Sequence, residues 1–463
     1  MFSKILVANR GEIAVRIIRT CKRMGIKTVA VYSEADKNAL HTRLADEIYC
    51  IGPARPDQSY LSIPNVLSVA EAAKCDAIHP GYGFLSENPN FAEIVEKCGF
   101  TFIGPDFRAI ERMGQKSVAR ELMQKNNIPV VPGSPDSIED AREGLQIAKQ
   151  VGFPVLIKAT SGGGGKGMRL VEKPEDFASM FDMAKVEAQA SFGDSRVYIE
   201  KFITNPRHIE VQIAGDTHGT VVALGERECT IQRRHQKLLE ECPSPAVSPA
   251  LRKKLCETAI RAAELINYYS LGTVEFLLDG NDNFYFMEMN TRLQVEHPIT
   301  ELATGLDLVE MQIRIANGEK LNLPYKIADL KGWAIECRIN AESPLNSFAP
   351  YPGTLETYIA PGGPWVRVDS SAYQEYEIAP EYDSMIAKLI VWGNNREEAI
   401  NRMLTSLSEF TIKGVDTTIP FHEYTLNTDT FRSGNFNTSF VAQHMPDFLM
   451  KEHRKQDMEA AAE

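Results

Sequence analysis

The sequence predicts a chain of mixed α/β and α+β architecture that opens with a doubly wound parallel sheet. Over roughly the first hundred residues, short apolar runs alternate with helical patterns, which is typical of parallel strands joined by crossover helices. The middle of the chain contains a strand–glycine loop–strand segment and then a polar hairpin. From Gly332 onward strands alternate with Pro-Gly turns. Because 463 residues exceed what one hydrophobic core accommodates, we expect about two to four domains.

Four short apolar runs define the predicted parallel sheet. They are Lys4–Ala8, Thr28–Tyr32, Asp76–His79 and Phe100–Gly104, and a helix is predicted over Gly11–Met24. The turn after the first run lacks the G-x-G-x-x-G pattern of dinucleotide-binding folds. A dinucleotide site at this turn therefore has little support.

Composition excludes several classes of function. The net charge of −12 argues against a general nucleic-acid or anionic-membrane surface, although a local basic pocket for phosphates remains compatible with it. We find no apolar run of about 18 residues and no signal peptide. The eight cysteines form no C-x-x-C pair, so thiol metal or redox chemistry is not expected, and most of them are predicted to be buried. A reducing, cytoplasmic location is the expectation.

A glycine-rich loop follows a predicted hinge at Pro129–Pro135. The loop Ser161–Gly167 has four consecutive glycines between two strand-like runs, and its backbone N–H groups are able to surround phosphate oxygens. It is not a Walker A loop, because Gly167 follows Lys166 where that motif has Ser or Thr. A disordered surface hairpin explains the loop equally well. Lys158 favours the phosphate site, since an ammonium in an apolar strand needs an anionic partner, although lysines that snorkel at strand ends are common.

The most informative segment is a predicted hairpin with a carboxylate on each strand. Two strand-like runs, Gly272–Asp279 and Phe284–Asn290, flank a four-residue turn. A register that pairs their ends places Glu275 opposite Glu288, with Asn290 facing the same side. Facing carboxylates repel each other, and a divalent cation such as Mg²⁺ removes the conflict by taking oxygen ligands. The alternative, in which one carboxylate points to solvent, is disfavoured by the apolar neighbours on both strands.

Alternating polar residues continue beyond this hairpin: Glu288, Asn290, Arg292, Gln294 and Glu296. In an extended chain all five side chains face one way. The set combines metal ligands, a cation suited to an anion and a carboxylate suited to a general base. A solvated face explains it poorly, because apolar residues occupy the positions between them. The sequence therefore predicts one polar site.

Seven long stretches of the sequence match one known family. They are Lys4–Ala14, His79–Asn88, the glycine loop, Asn205–Glu210, Gln232–Lys237, Glu288–Pro298 and Glu336–Glu342. Over essentially its whole length the chain resembles the biotin carboxylases of the ATP-grasp superfamily. The resemblance implies a Rossmann-like domain at 1–113, an ATP-grasp domain at 114–330 with a mobile lid at about 130–203, and a β-rich C-terminal domain at 331–463.

The resemblance also implies roles for residues at matching positions. ATP would be bound by Lys116, Lys158, Gly163, Gly164, Gly165, Lys166, Glu200, Lys201, Ile203, His208, Gln232, His235, Glu275 and Glu288. Mg²⁺ or Mn²⁺ would be held by Glu275, Glu288 and Asn290. Bicarbonate and biotin would be bound by Lys237, Arg292, Gln294, Val295, Glu296 and Arg338. The catalytic residues would be Glu296 as the base for bicarbonate, Arg338 as the stabiliser of the biotin enolate, Arg292 and Lys237.

The implied reaction is the ATP-dependent carboxylation of biotin through carboxyphosphate. A Met-Lys pair of the kind that carries biotin occurs near the end of the chain only as Met450-Lys451, in a charged tail. We therefore expect a stand-alone subunit that uses biotin on a separate carrier protein, with a separate carboxyltransferase. A homodimer is expected from the resemblance alone, and neither a nucleic acid nor a membrane is an expected partner.

Two other functions are compatible with parts of the sequence. An ATP-grasp ligase that joins a carboxylate to an amine would share the lysines, the glycine loop and the metal hairpin, but not the combination of Arg292–Glu296 with Arg338. A nucleotide-binding regulatory subunit would not need every catalytic position filled. The final acceptor stays open among acetyl-CoA, pyruvate, propionyl-CoA and 2-oxoglutarate, and acetyl-CoA carboxylase is placed first as the commonest complex.

Overall fold

A computed structural model of the chain describes residues 1–134, 136–160 and 168–462. The chain forms two compact units. The first unit comprises Met1–Gly114, His208–Glu275 and Met289–Glu463, and the second unit comprises Gln115–Arg207 and Phe276–Glu288. The predicted mixture of α/β and α+β structure is confirmed. No helix in the described part of the chain combines the length and the hydropathy that a bilayer crossing requires.

The described residues form the helices α1–α15 and the strands β1–β22. The helices of the described residues are α1 (Gly11–Arg23), α2 (Leu40–Leu44), α3 (Ile63–Ala72), α4 (Pro89–Lys97), α5 (Phe107–Gly114), α6 (Lys116–Lys125), α7 (Ala141–Val151), α8 (Phe177–Phe192), α9 (Pro249–Glu264), α10 (His297–Thr304), α11 (Leu308–Ala316), α12 (Arg396–Glu409), α13 (Ile419–Leu426), α14 (Asp429–Arg432) and α15 (Phe440–Ala462). The strands are β1 (Lys4–Val7), β2 (Lys27–Tyr32), β3 (Glu47–Cys50), β4 (Ala77–His79), β5 (Thr101–Phe102), β6 (Val155–Ala159), β7 (Met168–Val171), β8 (Val197–Lys201), β9 (Arg207–Gly215), β10 (Val221–Arg233), β11 (Gln236–Cys242), β12 (Ser270–Leu278), β13 (Phe284–Asn290), β14 (Trp333–Asn340), β15 (Glu342–Ser343), β16 (Ala349–Pro350), β17 (Gly353–Thr354), β18 (Thr357–Ile359), β19 (Val366–Ser370), β20 (Glu377–Ile378), β21 (Met385–Gly393) and β22 (Thr411–Lys413).

The first unit opens with the predicted parallel sheet. Its strand order is β3-β2-β1-β4-β5, and all four neighbouring pairs are parallel. In the central strand β1, Ile5, Leu6 and Val7 are completely buried, as expected where helices cover both faces. The edge strand β3 was not predicted, because its residues alternate between partly and largely exposed positions and its apolar signal is weak.

A second, larger sheet in the first unit carries the candidate site. Within this unit the strand order runs β12-β9-β10-β11-β14-β21-β19, and the pairs from β9 to β19 are antiparallel. Its central strands contain completely buried charged side chains, among them Glu210, Arg227, Glu240, Glu336 and Lys388. Charges at such depth are rare unless they are paired or serve a function.

The C-terminal part of the first unit packs helices on this sheet. Ile335 and Leu389 from neighbouring strands share one apolar cluster with Met403 of α12 and Phe421 of α13. The predicted change to strands after Gly332, followed by closing helices, is confirmed. Six of the eight cysteines are buried, in agreement with the prediction for most of them.

The second unit is a small α+β module. Its antiparallel sheet has the order β7-β6-β8, and α7 and α8 cover it. The predicted strands on either side of the glycine loop are present as β6 and β7. Asp140 caps α7 by accepting a hydrogen bond from the Arg142 N–H group. The predicted loop Ser161–Gly167 lies outside the described residues.

Candidate active site

The candidate site is built from one face of the large sheet in the first unit. Side chains on alternate positions of a strand point the same way, so neighbouring strands align them. Strand β9 contributes Glu210, β11 contributes Lys237, β12 contributes Glu275 and β14 contributes Arg338. Glu296, which immediately precedes α10, completes the group, and it is completely buried.

Lys237 is the centre of this cluster. Its ammonium lies 2.5 Å from Glu210, 2.6 Å from Glu296 and 3.1 Å from Glu275. Burial by itself lowers the pKa of Lys237, but the three carboxylates outweigh burial and raise this pKa well above its usual range. The lysine is therefore held charged at the meeting point of three acids.

Glu296 is held as a carboxylate by two cations. Besides Lys237, Arg338 donates to its other oxygen at 2.9 Å. Burial opposes ionisation, but the charges of Lys237 and Arg338 prevail and the pKa of Glu296 lies well below its usual range. Arg338 also donates to Glu240 at 2.7 Å, so that its guanidinium bridges two buried carboxylates.

Glu275 collects the donors of the neighbouring polar residues. His208 Nε2 lies 3.1 Å from its carboxylate, and the side-chain amides of Asn290 and Gln294 donate to it at 2.9 and 3.3 Å. Burial opposes ionisation of Glu275, but Lys237 and His208 lower its pKa well below the usual range. Burial also lowers the pKa of His208, and the carboxylate of Glu275 reverses that effect, so the pKa of His208 is raised.

The carboxylate oxygens near His208 are possible ligands for a hard divalent cation. His208, Glu210 and Glu275 each bring a possible ligand atom, and these atoms lie within 4.8 Å of one another in a buried setting. An ionised carboxylate supplies the oxygen ligand that Mg²⁺ prefers. Of the predicted metal ligands, Glu275 and Asn290 are in contact through the hydrogen bond that the Asn290 amide donates. Glu288 belongs to the second unit, and its placement opposite Glu275 stays a prediction.

Beyond Asn290 the prediction of an extended chain is wrong. Strand β13 ends at Asn290, and the segment 291–296 leads through a turn into α10. Because the chain is not extended there, period-two alternation does not align the side chains. Gln294 still reaches the cluster, because its amide donates to Glu275, and Arg292 in turn donates to Gln294 at 2.9 Å.

Arg292 is held by Glu87, which lies in the matched stretch His79–Asn88 and had no predicted role. Glu87 accepts from the Arg292 side chain at 2.7 Å and from the Thr291 N–H group at 3.0 Å. Glu210 and Glu240 were likewise missed, although Glu210 ends one of the matched stretches. The available signal was a carboxylate within an apolar strand pattern, which burial makes costly unless it is paired.

Gln232 and His235 lie at a hairpin turn of the first unit. Strands β10 and β11 pair Gln232 with Lys237, and Arg234 and His235 form the tip with φ angles of 49° and 64°. Positive φ at both residues is typical of a tight two-residue hairpin turn. A cavity near this hairpin is lined by Lys237, Arg338 and Arg233, so two cations of the cluster border open space.

The predicted ATP ligands of the second unit form two ion pairs. Lys116 lies 2.7 Å from Glu288, and Lys158 pairs closely with Glu200, which Arg120 approaches to 3.6 Å. The strong partner expected for Lys158 is thus a carboxylate of the neighbouring strand. Lys201 donates to the Gly152 carbonyl at 2.6 Å, and Ile203 is half-buried. The predicted ligands Gly163, Gly164, Gly165 and Lys166 lie outside the described residues.

Three family models match the chain in succession. "Biotin carboxylase, N-terminal domain" matches residues 1–110, "Carbamoyl-phosphate synthase L chain, ATP binding domain" matches 115–324, and "Biotin carboxylase C-terminal domain" matches 336–443. The central match and the buried carboxylate–cation cluster define the class as ATP-dependent ligases.

Individual relatives cover almost the whole chain. The biotin carboxylase of Nostoc sp. is 57% identical over 442 residues, which are 96% of this chain and 99% of the relative. A pyruvate carboxylase subunit of Methanothermobacter thermautotrophicus is 55% identical over 461 residues, with 99% and 94% covered. The crystal structure of the biotin carboxylase domain dimer of Hydrogenobacter thermophilus 2-oxoglutarate carboxylase, in complex with MgADP, ADP and bicarbonate, has a TM-score of 0.88 at 48% identity, and 97% of this chain and 99% of that chain are covered. The chain belongs to the biotin carboxylase family.

Proposed function

We propose that the cluster around Lys237 is the place where this enzyme activates bicarbonate with ATP and carboxylates biotin. The observation that carries the proposal is the ionised, completely buried carboxylate of Glu296 between Lys237 and Arg338. A buried base flanked by two cations is suited to binding a small anion and removing its proton.

Glu296 acts as the base that takes the proton of bicarbonate. Its low pKa makes it a weak base while both cations pair with it alone. An anionic substrate that shares the charges of Lys237 and Arg338 raises the proton affinity of Glu296 at the moment of transfer. Deprotonated bicarbonate then attacks the γ-phosphate of ATP, giving carboxyphosphate and ADP. Lys237 and Arg292 balance the negative charge on the bicarbonate oxygens.

Arg338 serves the second half of the reaction. Carboxyphosphate releases CO₂ beside biotin, its phosphate takes the ureido proton, and the deprotonated ureido nitrogen attacks CO₂ to form carboxybiotin. The guanidinium of Arg338, held by Glu240 at 2.7 Å, stabilises the resulting enolate oxygen.

Glu275, Glu288 and Asn290 are the residues that would hold Mg²⁺ or Mn²⁺, together with the ATP phosphates. The metal would neutralise charge on the transferred phosphoryl group. We assign the remaining ATP contacts to Lys116, Lys158 and the glycine loop, to Glu200, Lys201 and Ile203 for adenine, and to His208, Gln232 and His235. The division into domains at residues 113 and 330 is part of the same proposal.

The chain would carboxylate biotin attached to a carrier protein. The carboxylated biotin on that carrier would then be the substrate of a carboxyltransferase. Acetyl-CoA carboxylase is the first candidate for the complete complex, and the pyruvate, propionyl-CoA and 2-oxoglutarate carboxylases are the alternatives. The relatives named above come from more than one of these groups, and all residues of the cluster serve the step that they share. A homodimer in the cytoplasm is the proposed state.

The test is ADP release by the purified chain with Mg-ATP and bicarbonate, with and without free biotin. Wild-type turnover should require bicarbonate and rise with biotin, and Glu296→Gln should lower it by about 10²–10⁴-fold through loss of the base. Glu241→Gln is the matched control, because Glu241 is a completely buried carboxylate paired with Arg396 outside the cluster. Turnover that ignores biotin but responds to an amine would instead establish a carboxylate–amine ligase.

A further inference from the structure

The N-terminal stretch Lys4–Ala14 and the strand β21 contain two buried charged residues to which the reaction above gives no role. Lys388 on β21 is completely buried, and its ammonium lies 2.9 Å from Oε1 of Glu12. Glu12 is 6% exposed, and Tyr82 donates a hydrogen bond to the same oxygen. A buried ion pair seldom stabilises a fold more than apolar residues of equal volume would, so its stability alone is a weak reason for its presence.

The ammonium of Lys388 has a second contact, and this contact leads to the base. It donates to the carbonyl oxygen of Val295 at 2.8 Å. That carbonyl belongs to the peptide bond between Val295 and Glu296. Because the peptide is planar and trans, holding its oxygen also fixes the direction of the Glu296 N–H group on the opposite side.

Another main-chain carbonyl of the turn that carries the base is also held. The Gln294 carbonyl accepts from the His297 N–H group at 3.3 Å, and Nδ1 of His297 lies 2.9 Å from the same oxygen. Both anchors use main-chain carbonyls, so they act on the backbone and leave the Gln294 and Glu296 side chains to the cluster. The turn lies outside any strand or helix, so neither a sheet ladder nor a helical repeat fixes the Val295 carbonyl.

From these contacts we infer that Lys388, balanced by Glu12, is a positioning residue for the Gln294–Glu296 turn and thereby for bicarbonate. It touches no reacting atom itself. Its charge draws electron density toward the Val295 oxygen, which makes the Glu296 N–H group a stronger donor toward an anion. The inference rests on the proposed function and deepens it, since it names residues that set the affinity for bicarbonate.

The test compares bicarbonate kinetics in single and double variants of the Glu12–Lys388 pair. Lys388→Met removes the donor, and the double variant Glu12→Gln/Lys388→Met removes both charges, so no unpaired buried charge is left to impair folding. We expect kcat/KM for bicarbonate to fall by about 10–100-fold in both, because small misplacements of reacting groups have effects of this size. The KM for ATP should change less than about twofold, and Lys388→Arg, which keeps charge and donor, should recover most of the loss.

Arg396→Met provides the matched control. Arg396 pairs with the buried Glu241 at 2.7 Å, and it also contacts the ring of Phe431 and the main chain beside it. This variant should lower the melting temperature and leave the KM for bicarbonate unchanged. A double variant with wild-type kcat/KM for bicarbonate would overturn the inference, as would an equal loss in Arg396→Met. Wild-type turnover in the same assay tests the proposed function separately, so the two failures are distinguishable.

Discussion

Lys237 of the first unit and Lys116 of the second unit are held in opposite ways. Lys237 in the first unit has an 11% exposed side chain and contacts three carboxylates. Lys116 in the second unit has a 79% exposed side chain and forms an ion pair with Glu288. Exposed pairs contribute little and exchange partners easily, whereas a buried network stays in place. The cluster around Lys237 is therefore preorganised by its own residues, whereas the exposed Lys116 is able to change partner for a phosphate.

The largest difference between the two units should appear when Lys237 is removed. Lys237→Met leaves three buried carboxylates without their shared cation, and breaking a buried ion pair typically costs about 3–5 kcal/mol. We expect a clear fall in melting temperature and loss of bicarbonate-dependent ADP release. Lys158→Met is the matched variant of the second unit, where the 24% exposed side chain predicts a smaller fall. Equal falls in both variants would contradict the comparison.

Removal of Lys158 should instead be visible in the kinetics of ATP. Lys158 pairs with Glu200 on the neighbouring strand and is one of the proposed ATP contacts. We therefore expect Lys158→Gln to raise the KM for ATP by about tenfold, the effect of losing one charge-assisted contact of roughly 1.4 kcal/mol. The KM for bicarbonate should stay within about twofold of wild type. Initial rates with each substrate varied in turn provide the measurement. A rise in the KM for bicarbonate alone would show that the assignment of Lys158 to ATP is wrong.

The protonation of Glu240 should make the activity of the cluster in the first unit depend on pH. Burial raises the pKa of Glu240 to about 7, although Arg338 lowers it. Above that pH the carboxylate holds Arg338, and as the pH falls through about 7 it takes up a proton and its hold weakens. We therefore expect kcat/KM for biotin to decline below pH 7. In Glu240→Gln, which stays neutral at every pH, kcat/KM should be lower and this inflection absent. An unchanged inflection in the variant would assign the titration to another group.

The smallest effect on stability is expected at Lys116. The exposed Lys116–Glu288 pair should contribute less than about 1 kcal/mol, so Lys116→Ala should leave the melting temperature almost unchanged. If Lys116 binds phosphate, the KM for ATP should nevertheless rise severalfold. Calorimetry and ATP kinetics on the same preparation separate the two effects, and a large loss of stability would show that the pair belongs to a preorganised network.

Local patterns predicted the elements that depend on local physics. The strands β1, β2, β4 and β6 and the hairpin of β12 and β13 follow from apolar runs and turn-forming residues, since short-range propensity and burial act together there. The same reasoning failed at residues 291–296. Alternation along the sequence is compatible with a strand, but contacts with residues distant in the chain, such as Glu87 and Lys388, hold a turn instead.

The sequence by itself determined the fold class, the family resemblance and the residue types that the chemistry needs, because each is carried by a continuous stretch of chain. Only the tertiary structure decided which charges balance one another. Glu210, Lys237, Glu275, Glu296 and Arg338 lie far apart in the sequence, and the pairing of strands in one sheet brings them together. The physical reason is that a buried charge is stable only beside its partners, and those partners are specified by strand order and register.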